Sequence, residues 1–282
     1  MRVAALLALI SSLSWGVADF LGGLAARRAG ATQVLAVSYP AGAVVITFLA
    51  IFVVPGTLST DLIGISILAG VVGTIAITLL YAALVRGQMG VVSPITAVMS
   101  GAVPVFVGLL RGEQPSAFAF AGMGLAVFAV VLVSRESAHH HGRTPLTAIG
   151  LAIASGFAIG AYLSIIGLAP VDSGVWVATM GRWVSTVIMI SFVLVVVHSF
   201  DKTTFPWKLA IITGILDSTA NGLFQMASQR GLLSVVAVLG SLYPAATVVL
   251  ARVVIKERMN RVQSVGVLLA LSAAVLLAFN SS

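Results

Sequence analysis

The stretch LIGISILAGVVGTIAITLLYAAL, residues 62–84, carries no charged residue and is apolar on every helical face. A segment of that kind has no polar side to offer water, so it needs an apolar environment all round. A hydrocarbon core about 30 Å thick is crossed by roughly 20 helical residues. The chain divides into ten stretches of about that size: 3–23, 34–54, 62–84, 89–110, 116–134, 146–168, 175–197, 207–228, 232–255 and 262–280. Of 282 residues only 8% are charged and 60% are hydrophobic, whereas soluble domains average about 25% charged. A membrane β-barrel would alternate polarity over segments of about 10 residues, which these stretches do not. The expected class is an all-α integral membrane protein of ten transmembrane helices, with little chain left for a soluble domain.

The formal charge of +7 does not indicate nucleic acid, because Lys and Arg occur singly or in pairs in short connections. Cationic residues accumulate on the cytoplasmic side of a membrane. In a ten-span layout, ten of them, from Arg27 and Arg28 through Arg86 to Arg261, fall on one side, against Arg2, Arg111 and Arg230 on the other, which predicts both termini outside. The chain has no cysteine, so disulfides and thiolate metal sites are unavailable.

Sliding the chain against itself by 144 residues superimposes Gly16 on Gly160, Gly23 on Gly167, Gly70 on Gly214 and Gly122 on Gly266. The scarce residues carry more weight: Arg86-Gly87 falls on Arg230-Gly231 and Glu113 on Glu257. These matches indicate a duplicated unit, residues 1–138 and 145–282, joined by a polar linker at 139–144. The apolar run after Met1-Arg2, which ends in Leu24-Ala25-Ala26, could pass for a signal peptide. Its repeat partner at 146–168 is internal, so the run reads as a first span. Five spans per half is an odd number, so the second half enters the membrane inverted. Inverted repeats are a common construction of secondary transporters. His139, His140 and His141 in the connector SRESAHHHGRTP have no carboxylate neighbours on an ordered scaffold and read as solvated linker rather than a metal site.

The segments LLRGEQPSAFAFAGMGLAVFAVVLV (109–133) and VVIKERMNRVQSVGVLLALSAAVLL (253–277) resemble the two copies of the closing segment in EamA-type members of the drug/metabolite transporter superfamily. Gly112-Glu113 and Gly122 fit that pattern. Glu257 and Gly266 fit it in the second copy, where Lys256 stands in place of the glycine, and Trp15-Gly16 in the first span is similar as well. The resemblance implies a central cavity between the halves, lined by helices one to four and six to nine, with five and ten peripheral. It also implies export of amino acids and related metabolites.

Independently, the fifth and tenth spans hold no charged residue, whereas Asp19, Arg182 and Asp217 lie in the first, seventh and eighth. An intramembrane charge costs about 2.5–3.5 kcal/mol on insertion scales unless it meets protein or water. Asp19 reads either as a residue reaching for the interface or as part of a cavity, and Arg182 with Asp217 either as a structural ion pair or as part of a transport path. Asp217, Asn221 and Gln225 recur every four residues and form one polar stripe, extended by Ser218 and Gln229, which either bonds neighbouring helices or lines a wet path. Trp15, Tyr39, Tyr81, Tyr162, Trp183 and Tyr243 are amphipathic rings suited to substrate contact or to the membrane interface. Tyr39-Pro40, Pro94, Pro104 and Tyr243-Pro244 are expected to interrupt helices two, four and nine.

No metalloprotease, phosphate-loop or catalytic-triad pattern is present, so the chain does not read as an enzyme and calls for no cofactor or metal. The expectation is a secondary carrier of the inner or plasma membrane that exports small polar metabolites such as amino acids by alternating access. Arg182 would neutralise one acid while the other exchanges a proton with the cavity. Its partners are then a small-molecule substrate, a proton and the bilayer. The alternatives are efflux of lipophilic cations and flipping of lipid headgroups.

Overall fold

The structure is a computed structural model that describes residues 2–133, 144–197, 203–254 and 261–279. Among the described residues every regular element is helical. The α-helices are α1 (Arg2–Ala29), α2 (Ala31–Phe52), α3 (Leu62–Arg86), α4 (Met89–Leu110), α5 (Ala117–Val133), α6 (Leu146–Gly167), α7 (Trp176–Phe192), α8 (Trp207–Ser228), α9 (Leu233–Gly240), α10 (Tyr243–Val254) and α11 (Arg261–Phe279). In lipid each backbone donor and acceptor must find a partner within the chain, and the helix satisfies nearly all of them internally. By length and composition, six helices among the described residues can cross a membrane: α1 to α4, α6, and α7 with its continuation to Val196. At 22 residues α8 is as long as α2 or α6, but its polar stripe dilutes the apolar character. The connector histidines, Lys256 and Glu257 lie outside the described residues.

The two halves pack with the same partners. Helix α1 lies on α8 as α6 lies on α3, α2 lies on α8 as α7 lies on α3, and α1 meets α9 and α10 as α6 meets α4. The pairs α2·α7 and α5·α11 are each made of counterparts. The glycines that matched along the sequence sit at corresponding crossings. A Cβ on Gly16 would lie 2.6 Å from the Tyr243 carbonyl oxygen on α10, and one on Gly160 would lie 3.0 Å from the Ser100 carbonyl oxygen on α4. Where side chains are this small, helices approach backbone to backbone. The Thr247 hydroxyl accordingly donates to the Gly16 carbonyl at 3.1 Å.

The ninth expected span is two helices. The chain leaves α9 at Ser241-Leu242 and restarts at Tyr243-Pro244, where Pro244 occupies the first turn of α10 and its missing N–H needs no partner. Pro40 in α2 and Pro94 and Pro104 in α4 lie inside continuous helices, so the expected interruptions there do not occur. A proline in a helix interior removes one backbone hydrogen bond, and packed neighbours keep such a helix whole.

Candidate functional site

A cavity lies among α1, α3, α4, α6, α7, α8 and the α9–α10 break. Its walls repeat with the 144-residue offset of the sequence: Trp15 faces it with Ile159, Asp19 with Leu163, Asp217 with Gly73 and Asn221 with Ile77. The positions are equivalent and the chemistry is not. In each pair the polar or aromatic residue belongs to α1 or α8, which pack together, and its counterpart belongs to α3 or α6. The α1–α8 wall therefore carries both acids, α7 adds Arg182, and the α3–α6 wall, completed by Ala76 and Leu80, is aliphatic apart from Tyr162. Tyr162 and Tyr243 border the same space.

The charges on the polar wall are not equally free. The Arg182 guanidinium donates through Nη2 to Asp217 Oδ2 and forms an ion pair with it. The same guanidinium lies over the Tyr39 ring, 4.8 Å from its centroid, a contact that stabilises a cation on an aromatic face. Asn221 Nδ2 donates to the Asp217 carbonyl at 2.7 Å, one turn along α8. Asp19 is buried at 7% exposure, and among the described residues no donor or cation pairs with its carboxylate. The charged residues lining the cavity are Asp19, Arg182 and Asp217. With Arg182 and Asp217 paired, Asp19 is the lining carboxyl outside an ion pair among the described residues.

The polar stripe of α8 divides between two tasks. A step of four residues overshoots a full turn by about 40°, so the stripe has rotated about 80° between Asp217 and Gln225. Asp217 and Asn221 border the cavity, whereas Gln225 is fully buried against the start of α7. Its Oε1 accepts from the Ala178 N–H at 3.0 Å, and its Nε2 donates to the Gly174 carbonyl at 2.9 Å. Gln229 Nε2 donates to the same carbonyl at 2.8 Å and to that of Pro170 at 3.1 Å. The α6–α7 connector so held also meets the α2–α3 connector, where the Thr57 N–H donates to the Asp172 carbonyl at 2.8 Å and Trp176 Nε1 to the Gly56 carbonyl at 3.3 Å. Replacing Gln225 by Leu leaves the Ala178 N–H without this acceptor, at about 1–3 kcal/mol for an unmet buried group. A thermal-unfolding comparison with the native protein should show the loss.

Of the residues singled out from sequence, Trp15, Asp19, Tyr162, Arg182, Asp217, Asn221 and Tyr243 are brought to one cavity. Tyr39 stands behind Arg182, and Tyr81 is buried on α3 with its hydroxyl against Gly22, one turn from Asp19. Trp183 is 43% exposed and donates from Nε1 to Thr47 Oγ1 at 3.0 Å, away from the cavity lining. Sequence reasoning passed over Gly240 and Ser241, which line the cavity at the helix break; Tyr243-Pro244 marked that break without saying which residues it would expose. Ser100 and Ser185 also line it, and nothing sets them apart from other serines in apolar helices.

The profile of the EamA-like transporter family matches residues 2–135 and matches again at 146–279. The chain belongs to the EamA-like transporter family. It is therefore a membrane protein of the drug/metabolite transporter superfamily. A solved structure described only as a crystal structure of a protein has the same fold, with a TM-score of 0.73 at 17% identity over 97% of each chain. No curated protein matches this EamA-like transporter.

Proposed function

We propose that this EamA-like transporter is a secondary carrier of the cell membrane that exports small metabolites bearing a protonated amine and an apolar portion, amino acids among them, in exchange for protons. Ten spans arranged as two inverted repeats, residues 1–138 and 145–282, would supply the alternating access. The observation that carries the reading is the inequality of the two cavity acids: Asp217 is matched by Arg182, while Asp19 has no ion-pair partner among the described residues. Asp19 is then available to one cation at a time. As a carboxylate it accepts the substrate's ammonium, and protonation from the opposite side of the membrane displaces that ammonium. Each cycle moves one positive charge in each direction across the carboxylate. Trp15, Tyr162 and Tyr243 offer π faces to the same ammonium, and the aliphatic wall of α3 and α6 receives the apolar portion.

The same features favour lipophilic cations as a second substrate class, because Arg182 is already engaged and offers no free cation to a substrate carboxylate. The comparison to make is of extracellular metabolites and cationic-dye resistance in cells with the transporter and in cells without it, matched for expression. Selective enrichment of amines or amino acids outside the cells supports the proposal. A change in dye resistance alone moves the assignment to lipophilic cations, and no change in either overturns both.

A further inference from the structure

The Gly112-Glu113 pair lies outside the cavity, yet its geometry reaches it. Helix α4 ends in a Schellman turn: the Glu113 N–H bonds the Gly108 carbonyl at 3.0 Å, the Gly112 N–H bonds that of Leu109 at 3.0 Å, and Gly112 adopts φ +84°. Only a residue free of Cβ strain takes that left-handed conformation readily, and the turn aims the next side chain across the repeat boundary. Glu113 Oε1 accepts from the Leu233 N–H at 2.7 Å and Oε2 from the Ser234 N–H at 3.0 Å. These are the first two residues of α9, 120 and 121 positions away in the chain. Gly108 clears the space, since a Cβ there would overlap the carboxylate.

Helix α9 has eight residues, all of them buried, too few to hold together by their own hydrogen bonds. Its first N–H groups lack intrahelical acceptors, and a carboxylate at that end meets both the donors and the positive pole of the helix. At its other end, two turns away, Gly240 and Ser241 line the cavity.

We infer that Glu113 is a positioning residue of the transport site: from the first half of the chain it holds the short helix α9 of the second half, and so sets where the α9–α10 break enters the cavity. This goes beyond the proposed substrate and rests only on that cavity being the site of transport.

The absence of native cysteine allows a direct test. Ser241→Cys and, as a control on the cavity wall of α7, Ser185→Cys are each made in the full-length transporter and labelled in membranes with N-ethylmaleimide. Each is then combined with Glu113→Gln, Glu113→Leu or Glu113→Asp. Loss of a helix cap is expected to shift the labelling rate at position 241 by about five- to tenfold in the Gln and Leu variants, with Asp closer to the native rate and position 185 unchanged. Gly108→Ala, which keeps Glu113 but displaces its carboxylate, should reproduce the shift and supplies the reading where a Glu113 variant does not fold. Equal changes at 241 and 185, or an unchanged rate at 241, would overturn the inference. Labelling reports helix position and not transport, so it stands or falls separately from the proposed substrate.

Discussion

Replacing Arg182 by leucine alone is expected to destabilise the folded transporter by up to about 3 kcal/mol, because the substitution leaves the half-buried Asp217 carboxylate without its cation. The guanidinium of Arg182 sits between that carboxylate and the Tyr39 ring, so the substitution also removes a cation–π contact. Removing both charges, as Arg182→Leu with Asp217→Leu, is expected to recover most of the loss. Two charges taken from water have already given up their hydration, and an apolar pair of similar volume avoids that cost. The measurement is thermal unfolding of the purified protein in detergent for the two single variants and the double variant. A non-additive recovery identifies a coupled pair. Simple addition of the two losses would show that Arg182 and Asp217 act separately, against the geometry. The double variant should fold and still fail to transport, since it also alters the polar wall of the cavity.

The second expectation concerns function with the fold left intact. Asp19→Asn keeps the shape of the side chain and removes a lining acid that forms no ion pair among the described residues. Truncating one partner of a buried charge pair costs about 2–5 kcal/mol, so apparent affinity for an amine substrate should fall by about 30-fold or more. An amide cannot exchange a proton in this range, so residual transport by Asp19→Asn should no longer depend on an imposed pH gradient, while the native protein's should. The readout is substrate flux in proteoliposomes at several pH gradients, with thermal unfolding of the variant as the check on folding. Flux that keeps its native response to the gradient would remove Asp19 from the coupling step.

The helical runs were legible because hydropathy is a local property. A run such as residues 62–84 declares its solvent without reference to any other part of the chain, and α3 occupies Leu62–Arg86. The offset of 144 residues was equally legible, and the structure gives its glycines a reason: Gly16 and Gly160 occupy the same kind of helix crossing in the two halves. The candidate site was legible in part. Asp19, Arg182 and Asp217 stood out because charges are costly in lipid, and all three border the cavity. Trp183 and Gln225 drew notice for the same polar or aromatic character, yet one faces outward beside Thr47 and the other secures the start of α7.

What the sequence by itself determined is the solvent of the chain, its helical class, its duplicated plan and the few residues too polar to face lipid. Only the tertiary structure decided that Arg182 pairs with Asp217 and not with Asp19, that the α8 stripe leaves the cavity after Asn221, that the ninth span breaks at Ser241-Leu242, and that Glu113 bonds the start of α9 from across the repeat boundary. The physical reason is that hydropathy and helical period belong to a segment and are summed over its own residues. The partner of a buried charge depends instead on the rotation of each helix about its axis, and packing against helices distant in the chain sets that rotation.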